Sequence, residues 1–307
     1  MKILVTEFMD APAVQGLRDS HEVTYDPQLV DDLPRLLQEA PKCDAIIVRN
    51  RTQVRGELLA ALTRCKVVGR LGVGLDNIDV DACQTREIRV IPATGANAHS
   101  VAEYVIATAM LLLRGAYASS GEVAAGRWPR SALSQGRELA GKTLGLVGYG
   151  SIGQLSAKLA KALGMQVIAF DPALTDSDAA FSELGVTPST LDGLLAQADV
   201  VSLHIPLVES TRNFIDERRI ATMKKGAVLV NTARGGIVDE HAVSVALRNG
   251  QLGGAALDVF AEEPLQAAPH FDGCPNLILT PHIAGLTTES NERVSSMVAA
   301  KVLEVLA

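Results

Sequence analysis

Residues 143–153 read TLGLVGYGSIG, an apolar, strand-like run that passes directly into a loop with glycines at 148, 150 and 153. Ile152, Leu155, Leu159 and Leu163 then recur at helical spacing, and Gly164 stands where a left-handed C-terminal cap belongs. Strand, G-x-G-x-x-G loop and helix in that order predict the opening of a dinucleotide-binding unit. Gly148 permits the tight turn, Gly150 lets backbone approach a pyrophosphate, and Gly153 lets helix and strand pack closely. Free N–H groups and the positive helix end then face the diphosphate. In a chain with 26 glycines an ordinary tight turn is the plain alternative. Context separates the two: Asp171 ends the next apolar run, Val167-Ile168-Ala169-Phe170, 18 positions beyond Gly153. A carboxylate there accepts both adenosine ribose hydroxyls and repels the extra phosphate of NADP, so the reading is NAD. The duller reading of Asp171 is a residue that only starts the Asp171-Pro172 turn.

Outward from this unit, short apolar runs keep alternating with helix-period stretches, the pattern of parallel sheets built from strand–helix–strand units. One series takes in Ile3-Leu4-Val5, Val23-Thr24-Tyr25, Ala45-Ile46-Ile47-Val48, Val67-Val68 and Val90-Ile91. A second begins at Thr143 and continues through Val167–Phe170, Val200–Leu203, Val228–Val230, Ala255–Leu257 and Leu277–Leu279, six strands that fit one doubly wound domain. Between the series, a helix from about 97 to 118 is apolar nearly all round and is expected to be buried between domains. A last helix, starting near Thr287-Thr288-Glu289, carries Val294, Met297, Val298, Val302 and Val305 on one stripe. If it packs on the first series, the N-terminal domain is discontinuous. With aromatics at 4%, the cores must be aliphatic.

The chain has 307 residues, 48% hydrophobic and 21% charged, which suits two globular domains and rules out disorder and fibrous repeats. Its 28 basic against 35 acidic residues give a net charge of −7, so neither nucleic acid nor an anionic membrane is an expected partner, and any anion must be held locally. Cys43, Cys65, Cys83 and Cys274 are scattered, with no C-x-x-C pair or His-rich tract, which reads as reduced, mostly buried thiols and no metal site. The longest apolar run, Tyr104 to Leu113, is about half of a roughly 20-residue bilayer span. Glu7 and Asp10 follow the first strand directly, so no secretory signal is expected and a cytoplasmic location is.

In an open parallel sheet, ligands bind beyond the carboxyl ends of the strands. His204, Arg234, Glu263 and His282 lie there. A guanidinium offers a substrate carboxylate two parallel hydrogen bonds and polarises the neighbouring carbonyl, a role for Arg234. Imidazole is suited to exchanging a hydroxyl proton near neutral pH, a role for His282. A carboxylate beside it stabilises imidazolium, a role for Glu263. Taken singly, each has a duller explanation: a surface ion pair, a turn cap before Pro264, a hydrogen-bonded core histidine. His204 is open between the wall of a nicotinamide pocket and a satisfied buried histidine. His21, His99, His241 and His270 read as solvated or structural.

These residues lie within a longer set of segments: GRLGVGLDNID at 69–79, SVAEYVI at 100–106, GLVGYGSIG at 145–153, SLHIPL at 202–207, NTARGGIVDE at 231–240, ALDVFAEEPL at 256–265 and TPHIAG at 280–285. In that order, over nearly the whole chain, they resemble the D-isomer-specific 2-hydroxyacid dehydrogenases. The resemblance implies a Rossmann NAD domain (99–285) inserted into a flavodoxin-like substrate domain (1–98 and 286–307). It implies a catalytic trio at Arg234, Glu263 and His282, a homodimer, and a small 2-hydroxy or 2-keto acid as substrate. On the cofactor side it implies Gly148, Tyr149, Gly150, Ser151, Ile152, Gly153, Asp171, His204, Pro206, Thr211, Thr232, Ala233, Arg234, Asp258, His282 and Gly285, with Thr232 and Asp258 lining the nicotinamide pocket. On the substrate side it implies Leu71, Gly72, Val73 and Gly74 as a backbone cradle, a role that a Gly-rich turn with free N–H groups can fill, together with Arg234 and His282. Arg49 and Arg51 resemble the arginines of phosphoglycerate and sulfolactate dehydrogenases, which hold a second anion, and Arg70 is a further candidate; a solvated strand end is the alternative.

Unlike long phosphoglycerate dehydrogenases, the sequence ends at Ala307, which favours a short catabolic enzyme over a feedback-controlled one. A glyoxylate or hydroxypyruvate reductase is the alternative within the family. Formate dehydrogenase is a more distant one, and a non-enzymatic NAD(H)-responsive binding protein is the alternative from another class.

Overall fold

In the computed structural model, which describes residues 1–307, the first five strands are β1 (Lys2–Val5), β2 (Glu22–Tyr25), β3 (Ala45–Val48), β4 (Val67–Arg70) and β5 (Arg89–Pro92). They form one parallel sheet in the order β2-β1-β3-β4-β5, the flavodoxin-like order. Strand side chains alternate between faces, and here both faces are buried. Ile3, Val5, Ala45, Ile47 and Val67 point into one core, shared with the helices Ala11–Arg18 and Thr288–Leu306. Leu4, Ile46, Val48 and Val68 point into another. That two-sided burial is why these strands read as unbroken apolar runs.

Seven more strands follow: β6 (Thr143–Val147), β7 (Gln166–Phe170), β8 (Thr187–Pro188), β9 (Val200–Leu203), β10 (Ala227–Asn231), β11 (Leu252–Leu257) and β12 (Leu277–Leu279). All pair in parallel, in the order β12-β11-β10-β9-β6-β7-β8. The order reverses between β6 and β9, the switch point at which doubly wound sheets bind ligands. The six expected strands are present. The two-residue edge strand β8 is additional, too short to register as a hydrophobic run.

The chain divides into two units, Met1–Asn97 with Leu286–Ala307, and Ala98–Gly285. The helix expected over 97–118 spans Ala98–Arg114 and stops at Gly115, whose φ of 64° is left-handed. Its Val105, Ile106, Ala109, Leu112 and Leu113 join the core formed with Leu144, Leu146 and Val230, so it is a core helix of the second unit. No single helix is long and apolar enough to cross a membrane. Cys43, Cys65 and Cys83 are buried and free. The C-terminal helix buries Val294, Val298 and Val302 as its stripe requires, adding Ala299 and Leu306. A Cβ on Gly69 of β4 would come within 2.7 Å of Val298 Cγ1, so the helix lies directly on the strand.

That contact makes the C-terminal helix part of the first unit's core. Val298→Ala should lower the stability of this unit by about 2 kcal/mol through lost burial and a residual cavity, measured as a fall in the urea midpoint. A change under about 0.5 kcal/mol, the size of a surface substitution, would contradict the packing.

Candidate active site

The glycine loop starts where β6 ends. Gly148 has a φ of 95°, and a Cβ there would sit 2.5 Å from the carbonyl oxygen of His204, the first residue after β9. The turn therefore needs glycine both for its left-handed backbone and for the approach of the neighbouring strand. Gly150 caps the helix Ser151–Ala162 without offering a side-chain acceptor to the first-turn N–H groups, and the space a Cβ would enter beside it is open. A Cβ on Gly153 would instead collide with the Gly148 carbonyl oxygen at 2.5 Å. Turn, open approach and close packing thus fall on the three glycines in the expected order.

Asp171, after β7, accepts from the Tyr149 N–H through Oδ2 (2.8 Å) and from the Ala173 N–H through Oδ1 (2.9 Å). Each oxygen keeps a further lone pair for a ribose hydroxyl. Tyr149 departs from expectation. Its ring is 1% exposed and stacks on Phe181 at 5.0 Å, with burial raising its pKa to about 12. Its backbone N–H is held by Asp171, so its side chain serves the core rather than a cofactor. Ser151 and Ile152 occupy the first helical turn.

His204 accepts or shares a hydrogen bond with Ser202 (Nε2 to Oγ, 3.0 Å), and burial lowers its pKa to about 4. It is neutral at physiological pH, a satisfied histidine beside the glycine turn. Thr211 donates to the Pro206 carbonyl oxygen at 2.7 Å, so these two expected cofactor residues share one turn. The buried Thr232 hydroxyl has no partner within the chain. Buried hydroxyls are rarely left unsatisfied, and an orphan after β10 points to a group supplied by a ligand. The open approach at Gly150, the uncapped helix start, the ribose-ready Asp171 and this orphan fit a nicotinamide dinucleotide.

Asn231, which ends β10, was not singled out from sequence. It is 1% exposed, accepts from the Ala233 N–H and donates to the Arg234 carbonyl oxygen, shaping the turn that presents Arg234. A polar residue closing a strand that is otherwise fully buried was the available signal. Gly235, next along, leaves no room for a Cβ against the Phe260 carbonyl, so the loops after β10 and β11 nest together. Glu263, in the second of these loops, accepts from the Phe260 N–H (2.9 Å) and lies 2.7 Å from His282 Nδ1. Burial alone would raise its pKa. The hydrogen bonds from His282 and Phe260, with the charges of His282 and Arg234, outweigh burial and hold the carboxyl below the usual range. An ionised carboxylate only accepts, so Nδ1 carries the proton and Nε2 faces outward. The His282 and Glu263 side chains are 48% and 34% exposed. Arg234, Glu263 and His282 thus form one electrostatic unit.

Asp258 directly follows β11. It is 1% exposed, with its oxygens taken by the Thr280 hydroxyl (2.6 Å) and by the Ile283 and Ala284 N–H groups (both 2.8 Å). Its carbonyl accepts from the His282 N–H, also at 2.8 Å. Asp258 thereby staples the 280–285 loop, in which His282 adopts a left-handed φ of 56°.

In the first unit, buried Glu7 accepts from the N–H groups of Arg49 (2.8 Å), Thr52 (3.0 Å) and Arg51 (3.1 Å), fixing the loop after β3. Its position after β1 had suggested only a polar N-terminus. Arg49 donates to Asn291 at 2.7 Å and lies over the Phe8 ring, and burial lowers its pKa. Arg51 instead pairs with Asp31 at the surface. In the expected cradle, the Leu71 N–H is spent on the Val48 carbonyl and that of Gly72 on the Arg70 carbonyl. Both follow from β4 continuing its ladder and turning tightly, so neither amide is available to an anion.

Residues 106–284 match the family model described as D-isomer specific 2-hydroxyacid dehydrogenase, NAD binding domain. The chain is 55% identical over 293 residues to an (S)-sulfolactate dehydrogenase from Chromohalobacter salexigens, covering 95% of this chain and 94% of that one. It is 40% identical over 307 residues to a D-3-phosphoglycerate dehydrogenase from Mycobacterium tuberculosis, covering 99% of this chain but 57% of that longer protein. Among solved structures, a D-lactate dehydrogenase from Aquifex aeolicus complexed with NAD and lactic acid superposes with a TM-score of 0.87 at 31% identity, covering 99% of this chain and 95% of that one.

Asp171→Ala should cut the preference for NADH over NADPH about tenfold or more, the value of one or two charge-assisted hydrogen bonds. Unchanged discrimination in binding titrations would reject the ribose contact.

Proposed function

Since the chain belongs to the D-isomer specific 2-hydroxyacid dehydrogenase family, whose members are NAD-dependent oxidoreductases, we propose that it interconverts a 2-hydroxy acid and its 2-keto acid, using Arg234, Glu263 and His282, on a substrate with a second anionic group of the sulfolactate or 3-phosphoglycerate type. The observation carrying this reading is the 2.7 Å contact of His282 Nδ1 with a Glu263 carboxylate that also feels the charge of Arg234.

NADH, when bound, supplies the hydride that C2 of the keto acid receives. Arg234 pairs with the substrate carboxylate through its forked N–H groups, orienting C2 and drawing charge toward the carbonyl oxygen. His282 donates the Nε2 proton to that oxygen as it becomes a hydroxyl, and takes it back in the reverse direction. Glu263 keeps the imidazole oriented and stabilises its protonated form. The cofactor would be held by the backbone at Gly148, Gly150 and Gly153, by Asp171 at the ribose and by Thr232 through its orphan hydroxyl, with Pro206, Thr211, Ala233 and Gly285 in the flanking turns. In the first unit, which we assign as the substrate domain, Val73 and Gly74 offer the cradle amides, and Arg49 is the anchor for the far anion. The Arg51–Asp31 pair favours a second reading, a reductase of single-anion keto acids such as glyoxylate or hydroxypyruvate. We further assign a homodimer, supported by Tyr117, Val123 and Trp128, 64%, 43% and 76% exposed on one stretch of the second unit. The free thiols suit a cytoplasmic location.

Steady-state assays with sulfolactate, 3-phosphoglycerate, glyoxylate and hydroxypyruvate decide between the two readings. The proposal predicts the highest kcat/KM for a dianionic member, lost about tenfold or more in Arg49→Ala while glyoxylate turnover persists. Indifference to the second anion would favour the single-anion reading, and tight NADH binding with no turnover on any acid would favour a binding protein. Glu263→Gln should lower turnover at pH 7 about 10²-fold with NADH affinity retained. Because the Glu263 pKa is depressed, its charge should support activity across the neutral range and fail only as the pH falls through the carboxylate range.

A further inference from the structure

We infer that Tyr104, on the helix Ala98–Arg114, is a positioning residue for His282, acting through Thr280 and Asp258. Its phenol oxygen lies 2.6 Å from Thr280 Oγ1, and Thr280 Oγ1 lies 2.6 Å from Asp258 Oδ1. The direction of this chain follows from its end. An ionised carboxylate has no proton to give, so the single Thr280 proton goes to Asp258, and Thr280 must accept from the Tyr104 O–H. Burial raises the Tyr104 pKa and keeps the phenol a donor across the neutral range.

Asp258 passes the constraint on. The same carboxylate receives the Ile283 and Ala284 N–H groups, and the Asp258 carbonyl receives that of His282. Three consecutive amides are thereby fixed around a left-handed His282, a conformation that a side chain bearing a Cβ keeps only when its surroundings over-determine it. From that backbone the imidazole reaches Glu263 at 2.7 Å. Tyr104 sits in SVAEYVI, within the longest apolar run of the chain; Thr108, one turn on, turns its hydroxyl back onto the Tyr104 and Val105 carbonyls, whereas the Tyr104 hydroxyl reaches across to Thr280. Removing it frees the Thr280 rotor, weakens the hold on Asp258 and lets the histidine turn relax.

The inference rests on the dehydrogenase reading, so the test has two arms. In the first, Tyr104→Phe keeps the ring and its packing; kcat should fall about fivefold, the effect of one hydrogen bond, with the keto-acid KM within about twofold of wild type. Thr280→Val should do the same and Thr280→Ser should recover wild-type turnover. In the second arm, which needs no turnover, hydrogen exchange of the His282, Ile283 and Ala284 amides should quicken in Tyr104→Phe and Thr280→Val and not in Thr280→Ser. Wild-type kcat and wild-type exchange in Tyr104→Phe would overturn the inference. So would a loss confined to KM, or a Thr280→Ser variant as impaired as Thr280→Val. An inactive wild-type protein that still shows the exchange pattern would sink the dehydrogenase reading and leave the positioning role standing.

Discussion

The carboxylate of Asp258 is the interaction on which the site depends. A strand that ends in a buried, ionised side chain must satisfy that charge from its own surroundings, since an unpaired buried carboxylate is costly. Here the donors are the Thr280 hydroxyl and two successive amides of the following strand's loop. Satisfying Asp258 is thereby the same event as folding the loop that carries His282. The histidine's backbone geometry is set by the core of the sheet, while its ring stays half-exposed for chemistry. Glu263 is placed by the neighbouring loop through the Phe260 N–H, and Arg234 by the turn that Asn231 closes. For the proposed reaction, these backbone contacts at the strand ends supply the preorganisation that catalysis requires.

The net charge of −7 is unfavourable for binding anionic ligands at long range, and the chain answers with local devices. An uncapped helix start and a glycine turn suit a diphosphate, and a guanidinium near Glu263 suits a carboxylate. In the proposed ribose site Asp171 works in the opposite sense, its charge being unfavourable to a ribose phosphate. The electrostatics of function are thus short-range and directional, and the overall balance of the surface says little about the ligand.

Much of this was legible in the amino-acid sequence, because strands buried on both faces print as continuous aliphatic runs and because G-x-G-x-x-G after such a run has few other uses. The placement of Arg234, Glu263 and His282, each after a strand at its carboxyl end, was also legible. What failed to show were side-chain directions and the partners of local donors. Tyr149 lies among cofactor-facing residues yet turns inward onto Phe181, and no spacing rule distinguishes the two rotamers. The position of Asp258 after β11 suggests a pocket wall but not its stapling role, since the partners come from residues about 25 positions later. The Leu71 and Gly72 amides read as free in a Gly-rich stretch but are consumed by the ladder and its turn. Arg51 looked equivalent to Arg49 until Asp31, on a separate segment, claimed it. Apart from the tight turn that takes the Gly72 amide, each of these contacts is distant in sequence, where pattern carries no information.

In the proposed reaction the hydride passes from NADH to C2 of a 2-keto acid, while Arg234 and Glu263 orient the partners and His282 gives the carbonyl oxygen its proton. Incubation with NADH carrying deuterium at both C4 positions and a 2-keto acid, followed by mass spectrometry and NMR of the product, tests it directly. The account predicts deuterium bound to C2 of the resulting 2-hydroxy acid, with none exchanged from solvent at that carbon. NADH oxidation that leaves C2 unlabelled would contradict it.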